Sequence, residues 1–487
     1  MSGSMTDFHH PSPEGNHLMS LSSFDADGQG ELWIPTEQIA RSPGHPFYIK
    51  LNQVLRQEQF DRWIESLCAP YYKAGGRPSI PLGVYFRMLL IGYFEGIDSQ
   101  RGIAWRCADS MSLREFLGLE LTRRAPDHSS LTRIRQRLPL AVHEQMFAMV
   151  LEIGQKRGLL RGKTILVDST TLEANAAMRS IVRKDTGEDW TQYLTRLAQA
   201  DGIEEPTAHD LARYDQQRTD KKVSNEQWQS RTDPEARIAK MKDGTTHLAY
   251  KAEHAVDMDS GLIVAAAIEP AAGAPDNETI KARAIDAQAN LIRAGSAQAV
   301  EEAVGDKGYH KTESLEWLAE AGIRTYIPEK KERGKRRWKN WTASQNQAYR
   351  ANRRRTRGVR GRRLLRRRGE LVERSFAHVC ETGGARRAWL RGMEEISKYY
   401  HLRALAFNLG VLLRSLFGIG KPRVLQGGMD RLGGAILSIL RPWATSMRGF
   451  FTHLAEFAAR IVVAIVNSAR CVTSSRRHQK RYYSTGC

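Results

Sequence analysis

Three carboxylates stand where a site for phosphoryl chemistry would need them. Asp168 closes the apolar, β-branched run 163–168, and Asp306 closes a second expected strand, 299–305, inside Gly305-Asp306-Lys307-Gly308-Tyr309. Ligands gather beyond the carboxyl ends of strands in open α/β sheets, so the two aspartates are expected to meet there. Glu373 follows in 369–376, early in an expected helix whose apolar side is Val372, Phe376 and Val379. Oxygen ligands from three carboxylates suit Mg²⁺ or Mn²⁺, and two such ions can clamp an in-line displacement at phosphorus. Taken singly, each acid reads better as a cap, a turn or a surface ion pair. An aspartate that closes a buried strand resists that reading, because an unpaired buried charge is costly. Two other acids compete for these roles. Asp276 more naturally caps the helix that follows it, and Glu370 shares a helix face with Glu373.

Charge gives the second chemical signal. The 487 residues carry 74 basic and 54 acidic side chains, a formal net charge of +20. The surplus is concentrated: residues 330–374 hold 19 lysines and arginines against Glu332, Glu370 and Glu373. Such a run binds polyanions through counterion release, and its arginine bias favours phosphate forks over plain solubility. Arg336, Arg337, Arg353, Arg354 and Arg374 are therefore candidate DNA contacts, together with Lys307 beside Asp306. Trp338 and Trp341 lie in the run and can stack on bases or pack on the core. Nucleic acid is the expected partner, ahead of an anionic membrane. Five scattered cysteines fit neither a disulfide framework nor a zinc site. The best membrane candidate, 449–469, carries His453, Glu456 and Arg460 and reads as an amphipathic helix. The expected location is the cytoplasm, in association with the nucleoid.

The elements that must position these groups read as an α/β mixed-sheet domain preceded by an α-helical one. Residues 1–45 form a polar arm. Residues 46–150 are helical: Val84, Met88 and Ile91 recur at helical steps behind Pro78 and Pro81. Asp127, Ser129 or Ser130 can cap a later helix from which Arg133, Arg135 and Arg137 project as candidate DNA contacts. The second domain spans 160–416. After the Asp168 strand comes a polar insertion at 179–242, with helical patches and no strand pattern. Residues 246–256 then alternate, with Leu248, Tyr250, Ala252, His254 and Val256 on one face and Lys251 and Glu253 on the other. A turn leads to a strand at 262–268, a helix at 277–292, a strand at 299–305, a helix at 314–321 and a strand at 324–327. The basic segment 330–368 and an amphipathic helix at 393–416 complete it, and 417–487 form a tail of unassigned role. Glu173 and Asn175 are expected near the site. Thr170, Thr171 and Tyr309 are possible phosphate contacts, and His254 and His310 are more simply read as satisfied histidines.

The chain resembles bacterial insertion-sequence transposases of the DDE class, which have a ribonuclease H-like catalytic core and a helical N-terminal domain. The resemblance rests on an ordered series: PDHSSLTRIRQR (126–137), VDSTTLEANAA (167–177), HLAYKAEH with its DSG turn (247–261), GDKGYH (305–310), VERSF (372–376), and RRAWLRG with AFNL (386–409). It implies that Asp168, Asp306 and Glu373 are the catalytic and metal-binding triad, holding two Mg²⁺ or Mn²⁺ ions. Water activated there would hydrolyse a phosphodiester at the element's end, and the freed 3′-hydroxyl would attack target DNA. The partners implied are element-end and target DNA bound by a dimer, with no membrane and no small-molecule cofactor. In many relatives a lysine stands two helical turns after the glutamate; here Cys380 stands at that spacing. A metal-dependent nuclease of the same fold and a catalytically inactive DNA-binding remnant are the alternatives.

Overall fold

The computed structural model describes Pro35 and residues 44–73, 75, 78–219, 223–241, 243–272, 276–330 and 341–422. The arm up to residue 34, the Arg336-Arg337-Trp338 cluster, the 449–469 segment and the side chain of Asp276 lie outside the described residues.

The N-terminal half is helical. Helices α1 (Pro46–Gln57), α2 (Phe60–Cys68), α3 (Leu82–Glu95), α4 (Gln100–Asp109), α5 (Met111–Leu117), α6 (His128–Arg137) and α7 (Leu140–Lys156) follow in order. Their ends follow the local chemistry. Pro81 precedes α3, and Gly96 closes it at φ 71°, a left-handed conformation that glycine adopts without strain. Asp127 caps α6 by accepting the Ser129 amide at 2.8 Å. Tyr85, Phe86, Met88, Ile91 and Phe94 bury α3 in the centre of the layer.

The sheet is built around β1 (Thr164–Glu173) and β5 (Thr246–Asp257), which pair antiparallel along nearly their whole length. On the far edge of β5 run β4 (Arg237–Lys240) and β6 (Ile263–Pro270), both antiparallel to it. On the other side of β1, β7 (Glu302–Val304) and β8 (Arg324–Tyr326) are parallel. Among the described residues this makes six strands in one sheet, mixed as the sequence leads one to expect but with β4 added to the five expected strands. Between β1 and β4 the insertion holds β2 (Ile181–Arg183), α8 (Trp190–Ala200), α9 (Ala208–Gln217) and β3 (Trp228–Ser230). Strands β2, β3 and β4 correct the expectation of a strandless insertion; at three or four residues each they are too short to show a period-two pattern.

Helices α10 (Asp276–Arg293) and α11 (Thr312–Glu320) flank the parallel strands, followed by α12 (Ala343–Arg357), α13 (Val359–Phe376) and α14 (Met393–Phe417). Gly361 lets α12 and α13 meet closely, since a Cβ there would lie 2.1 Å from the Arg355 carbonyl oxygen. Helix α14 is not the amphipathic helix expected from its pattern. It packs against α7, α3 and β6 and is buried along most of its length. Its polar residues are satisfied internally: Asn408 exchanges two 2.8 Å hydrogen bonds with the Ile263 backbone, and Arg403 Nε donates to the Gly383 carbonyl at 2.6 Å. The described residues from 44 to 422 belong to one compact unit.

Candidate active site

Asp168 does not end its strand, as the sequence suggested; it sits in the middle of β1. The parallel ladder explains the difference. β7 pairs with β1 only up to Leu166–Val304, so Asp168 lies two residues past the end of that pairing while β1 continues along β5. Asp306, two residues beyond Val304, leaves β7 at the same level, and both aspartates have the pleat parity of the Leu166–Val304 pair. The gap opened where β7 stops is the carboxyl-end crevice. Asp306 caps a short 3-10 turn, with Oδ1 accepting the Gly308 amide at 2.7 Å.

Helix α13 crosses this face of the sheet. Asp168 Oδ1 accepts its neighbour Ser169's amide at 2.9 Å, and Oδ2 accepts Nη1 of Arg368 at 2.5 Å. Burial pushes the Asp168 carboxyl above its usual range. Arg368 and the Ser169 amide pull it back, and the charge of Asp306 adds to the rise. Directly across the ladder from Asp168 is His254, fully buried. Ser375 Oγ donates to the Val372 carbonyl at 2.8 Å, so the 2.8 Å bond from His254 Nδ1 has the imidazole as donor. Nε2 then accepts the Tyr400 hydroxyl at 2.8 Å, and the ring stacks on Phe376 at 4.2 Å. Burial holds His254 neutral, with its pKa lowered to about 3. It is the satisfied histidine the sequence suggested, and it ties β5 to α13 and α14 beside the aspartates.

Glu373 lies near the end of α13 rather than early in a helix, and it is exposed. Its side chain runs back along the helix, so that Oε1 lies 4.0 Å from where a Cβ on Gly369 would sit, next to Arg368. Glu370 is taken up by surface pairs with Arg367 at 2.8 Å and Arg374 at 3.2 Å. Asp168 and Asp306 fit a divalent cation: they converge on one face, and a guanidinium already neutralises one of them. Among the described residues no group of three His, Cys, Asp or Glu side chains is close enough to hold a metal ion, so Glu373 is not gathered with the aspartates.

After Phe376 the helix loosens into a π turn, Ala377–Thr382, and Cys380 is buried inside it. Its thiol is pushed up to about 11 by burial. The position where many relatives have a lysine is therefore an interior one here, inside the π turn. Tyr309 is also fully buried, which corrects its reading as a phosphate contact. Lys307 is exposed beside Asp306. Glu173 lies at the far end of β1, 3.7 Å from Arg387, and Asn175 donates to the Trp389 carbonyl. Thr170 Oγ1 accepts Arg386 at 3.2 Å.

The basic residues divide. On α6, Arg133 and Arg137 face outward, whereas Arg135 turns in to Glu395 at 2.6 Å. On α12, Arg350, Arg354 and Arg357 are exposed, while Arg353 pairs with Glu329 at 3.1 Å and Arg355 donates to the Thr325 carbonyl at 2.9 Å. Arg350, Arg353, Arg354 and Arg357 line an open groove of about 1110 Å³. Arg374 is exposed at the end of α13.

Residues 161–409, more than half of the chain, match the Transposase DDE domain family, and residues 36–137 match the Transposase domain (DUF772) family. The chain belongs to the DDE transposase family. The mixed sheet is accordingly the ribonuclease H-like fold of that family. As a DDE transposase the protein acts on DNA, and divalent metal ions are general to the family. No curated protein and no solved structure matched the chain. Among the described residues no helix of the transposase is long and apolar enough to cross a membrane.

Proposed function

We propose that this transposase cleaves DNA at the ends of its element and joins the freed ends to target DNA, with Asp168, Asp306 and Glu373 as the catalytic carboxylates. The observation that carries this reading is the convergence of Asp168 and Asp306 from adjacent parallel strands on the face crossed by α13. Two Mg²⁺ or Mn²⁺ ions held by Asp168 and Asp306, with Glu373 joining them only once its exposed side chain swings in, would supply the charge stabilisation of an in-line displacement at phosphorus. The chain's own groups do the rest. Partial burial of Asp168 strengthens the charge interactions around it. The His254–Ser375–Tyr400 bonds hold α13, and with it Glu373, against β5. Exposed arginines of α12 and α13, with Lys307, would run along the DNA backbone and give affinity without sequence information. End recognition is assigned to the helical N-terminal region, where Arg133 and Arg137 face outward, and two paired ends call for a dimer.

The test is cleavage and joining of labelled element-end DNA with Mn²⁺, comparing wild type with Asp306→Asn. Nicking and joined product that both vanish in the variant support the reading. Equal cutting by both proteins removes Asp306 from it, and nicks without joined product favour a nuclease.

A further inference from the structure

Both oxygens of Asp168 already accept a hydrogen bond in this structure, and the charged one is on Oδ2: Oδ1 accepts the Ser169 amide, and Nη1 of Arg368 sits 2.5 Å from Oδ2. Arg368 projects from the inward side of α13, which it shares with the buried Leu364, Leu371, Val372 and Ser375, and only 16% of its side chain is exposed. Yet it is poorly satisfied there: its Nε is buried without a hydrogen-bond acceptor. Arg360 on the same helix also donates one bond to a strand carboxylate, Glu302 at 2.6 Å, but its side chain is 60% exposed, so water can complete its hydrogen bonding. Arg368 is held by the charge of Asp168 more than by a full set of bonds, which is how an exchangeable cation would be held.

We propose that Arg368 is a displaceable counter-cation: it orients Asp168 in the resting protein, and it must leave Oδ2 before a divalent ion can bind there. This rests on the carboxylate-site reading above. A guanidinium and a divalent ion on one carboxylate oxygen repel each other, the more so where water is partly excluded. Arg368 therefore lowers the metal affinity of the resting protein and acts as a latch on loading. It is a positioning residue, so its signature is in metal binding and not in turnover alone.

The experiment is a Mn²⁺ titration of the full chain without DNA, followed by the electron paramagnetic resonance of free Mn²⁺. It is run at pH 8, so that a proton does not replace the lost guanidinium on Asp168. Wild type is compared with Arg368→Met, Arg368→Gln, Arg368→Lys and Asp168→Asn, and thermal melting in chelator confirms that each variant folds. Arg368→Met is expected to bind Mn²⁺ about tenfold more tightly or better, and Arg368→Lys close to wild type. Arg368→Gln, which keeps polar reach without charge, gives the same gain as Met and serves if Met fails to fold. Unchanged or weaker binding in the folded neutral variants, with binding still lost in Asp168→Asn, overturns the latch and leaves the carboxylate site standing. Mn²⁺ binding that survives Asp168→Asn overturns both.

Discussion

Glu302 on β7 and Asp168 on β1 are strand carboxylates on neighbouring strands, each met by an arginine from α13, and their environments are opposite. Glu302 is 2% exposed, and burial alone would raise its pKa. Its bonds to Arg360, Thr164 and Tyr326 outweigh that, and the carboxyl is lowered overall. Asp168 has one arginine, one backbone amide and a second carboxylate nearby, and it stays raised. The sequence offers two acids on two strands; the count of hydrogen-bond donors around each separates the one that holds the fold together from the one proposed for chemistry.

Substitution should split the two roles. Asp168→Asn and Asp306→Asn are each expected to lower cleavage of element-end DNA by on the order of 10³-fold or more, measured as initial nicking rate with Mn²⁺. Stability of Asp168→Asn should move by less than about 1 kcal/mol, because the lost ion pair is offset by removal of a poorly solvated charge. Glu302→Gln reverses the pattern. It is expected to destabilise by about 1 kcal/mol, since the hydroxyls of Thr164 and Tyr326 lose a charged acceptor while the exposed Arg360 is left to water, and Mn²⁺ affinity stays as in wild type. Urea unfolding with parallel Mn²⁺ titration checks both, and a large loss of stability in Asp168→Asn would break the comparison.

Acid sharpens it. The folded pKa of Glu302 is lowered, so its contribution is present above the unfolded value and is lost as pH falls through the folded one. The folded pKa of Asp168 is raised, so its ionisation weakens the fold as pH rises. The deficit of Glu302→Gln should therefore shrink on acidification, and any gain in Asp168→Asn should shrink too, from the opposite side. Against this runs a loss common to all variants. Burial lowers His254 to about 3 and His143 to about 4, so the unfolded chain binds protons near its ordinary value of 6.5 while the folded chain does not. Stability should fall from pH 6.5 toward pH 4, by about 1.4 kcal/mol per pH unit for each histidine, and His254→Gln should flatten the slope. The smallest expected effect belongs to the groove on α12. Arg354→Ala should weaken DNA binding alike for all sequences and reduce the salt slope by about 1.

Much of this arrangement was legible from residue order. The alternation at 246–256, the β-branched run at 163–168 and the expected strand at 299–305 marked the sheet, and the residues at the ends of the last two marked the aspartates. Periodicity misled where tertiary burial overrode it. Lys251 and Glu253 fall on the face opposite His254, as their alternation required, but that face is covered by α10: Glu253 is fully buried, 3.1 Å from Lys251 and 2.6 Å from the Thr279 hydroxyl. Helix α14 looked half-polar because Arg403 and Asn408 serve buried backbone groups. Arg368 was one arginine among many in a basic run, and nothing in its neighbours distinguishes it until Asp168 is folded against it. Glu373 was chosen by resemblance, and its exposed position on α13 is not evident from its spacing.

The π turn at Ala377–Thr382 bears on how this chain tolerates changes in length. A π turn houses one residue more than an α-helical turn, so it works as a slack link between the frame of α13 and the segment leading to Arg386 and Trp389. Deleting one residue there would close the link into regular helix and rotate one side against the other by about 100°. Cys380 or its replacement would then swing out of the interior, and the Arg386–Thr170 bond would lose its alignment. Insertions and deletions should be far better accepted at the tips of the α8–α9 insertion than at this one turn.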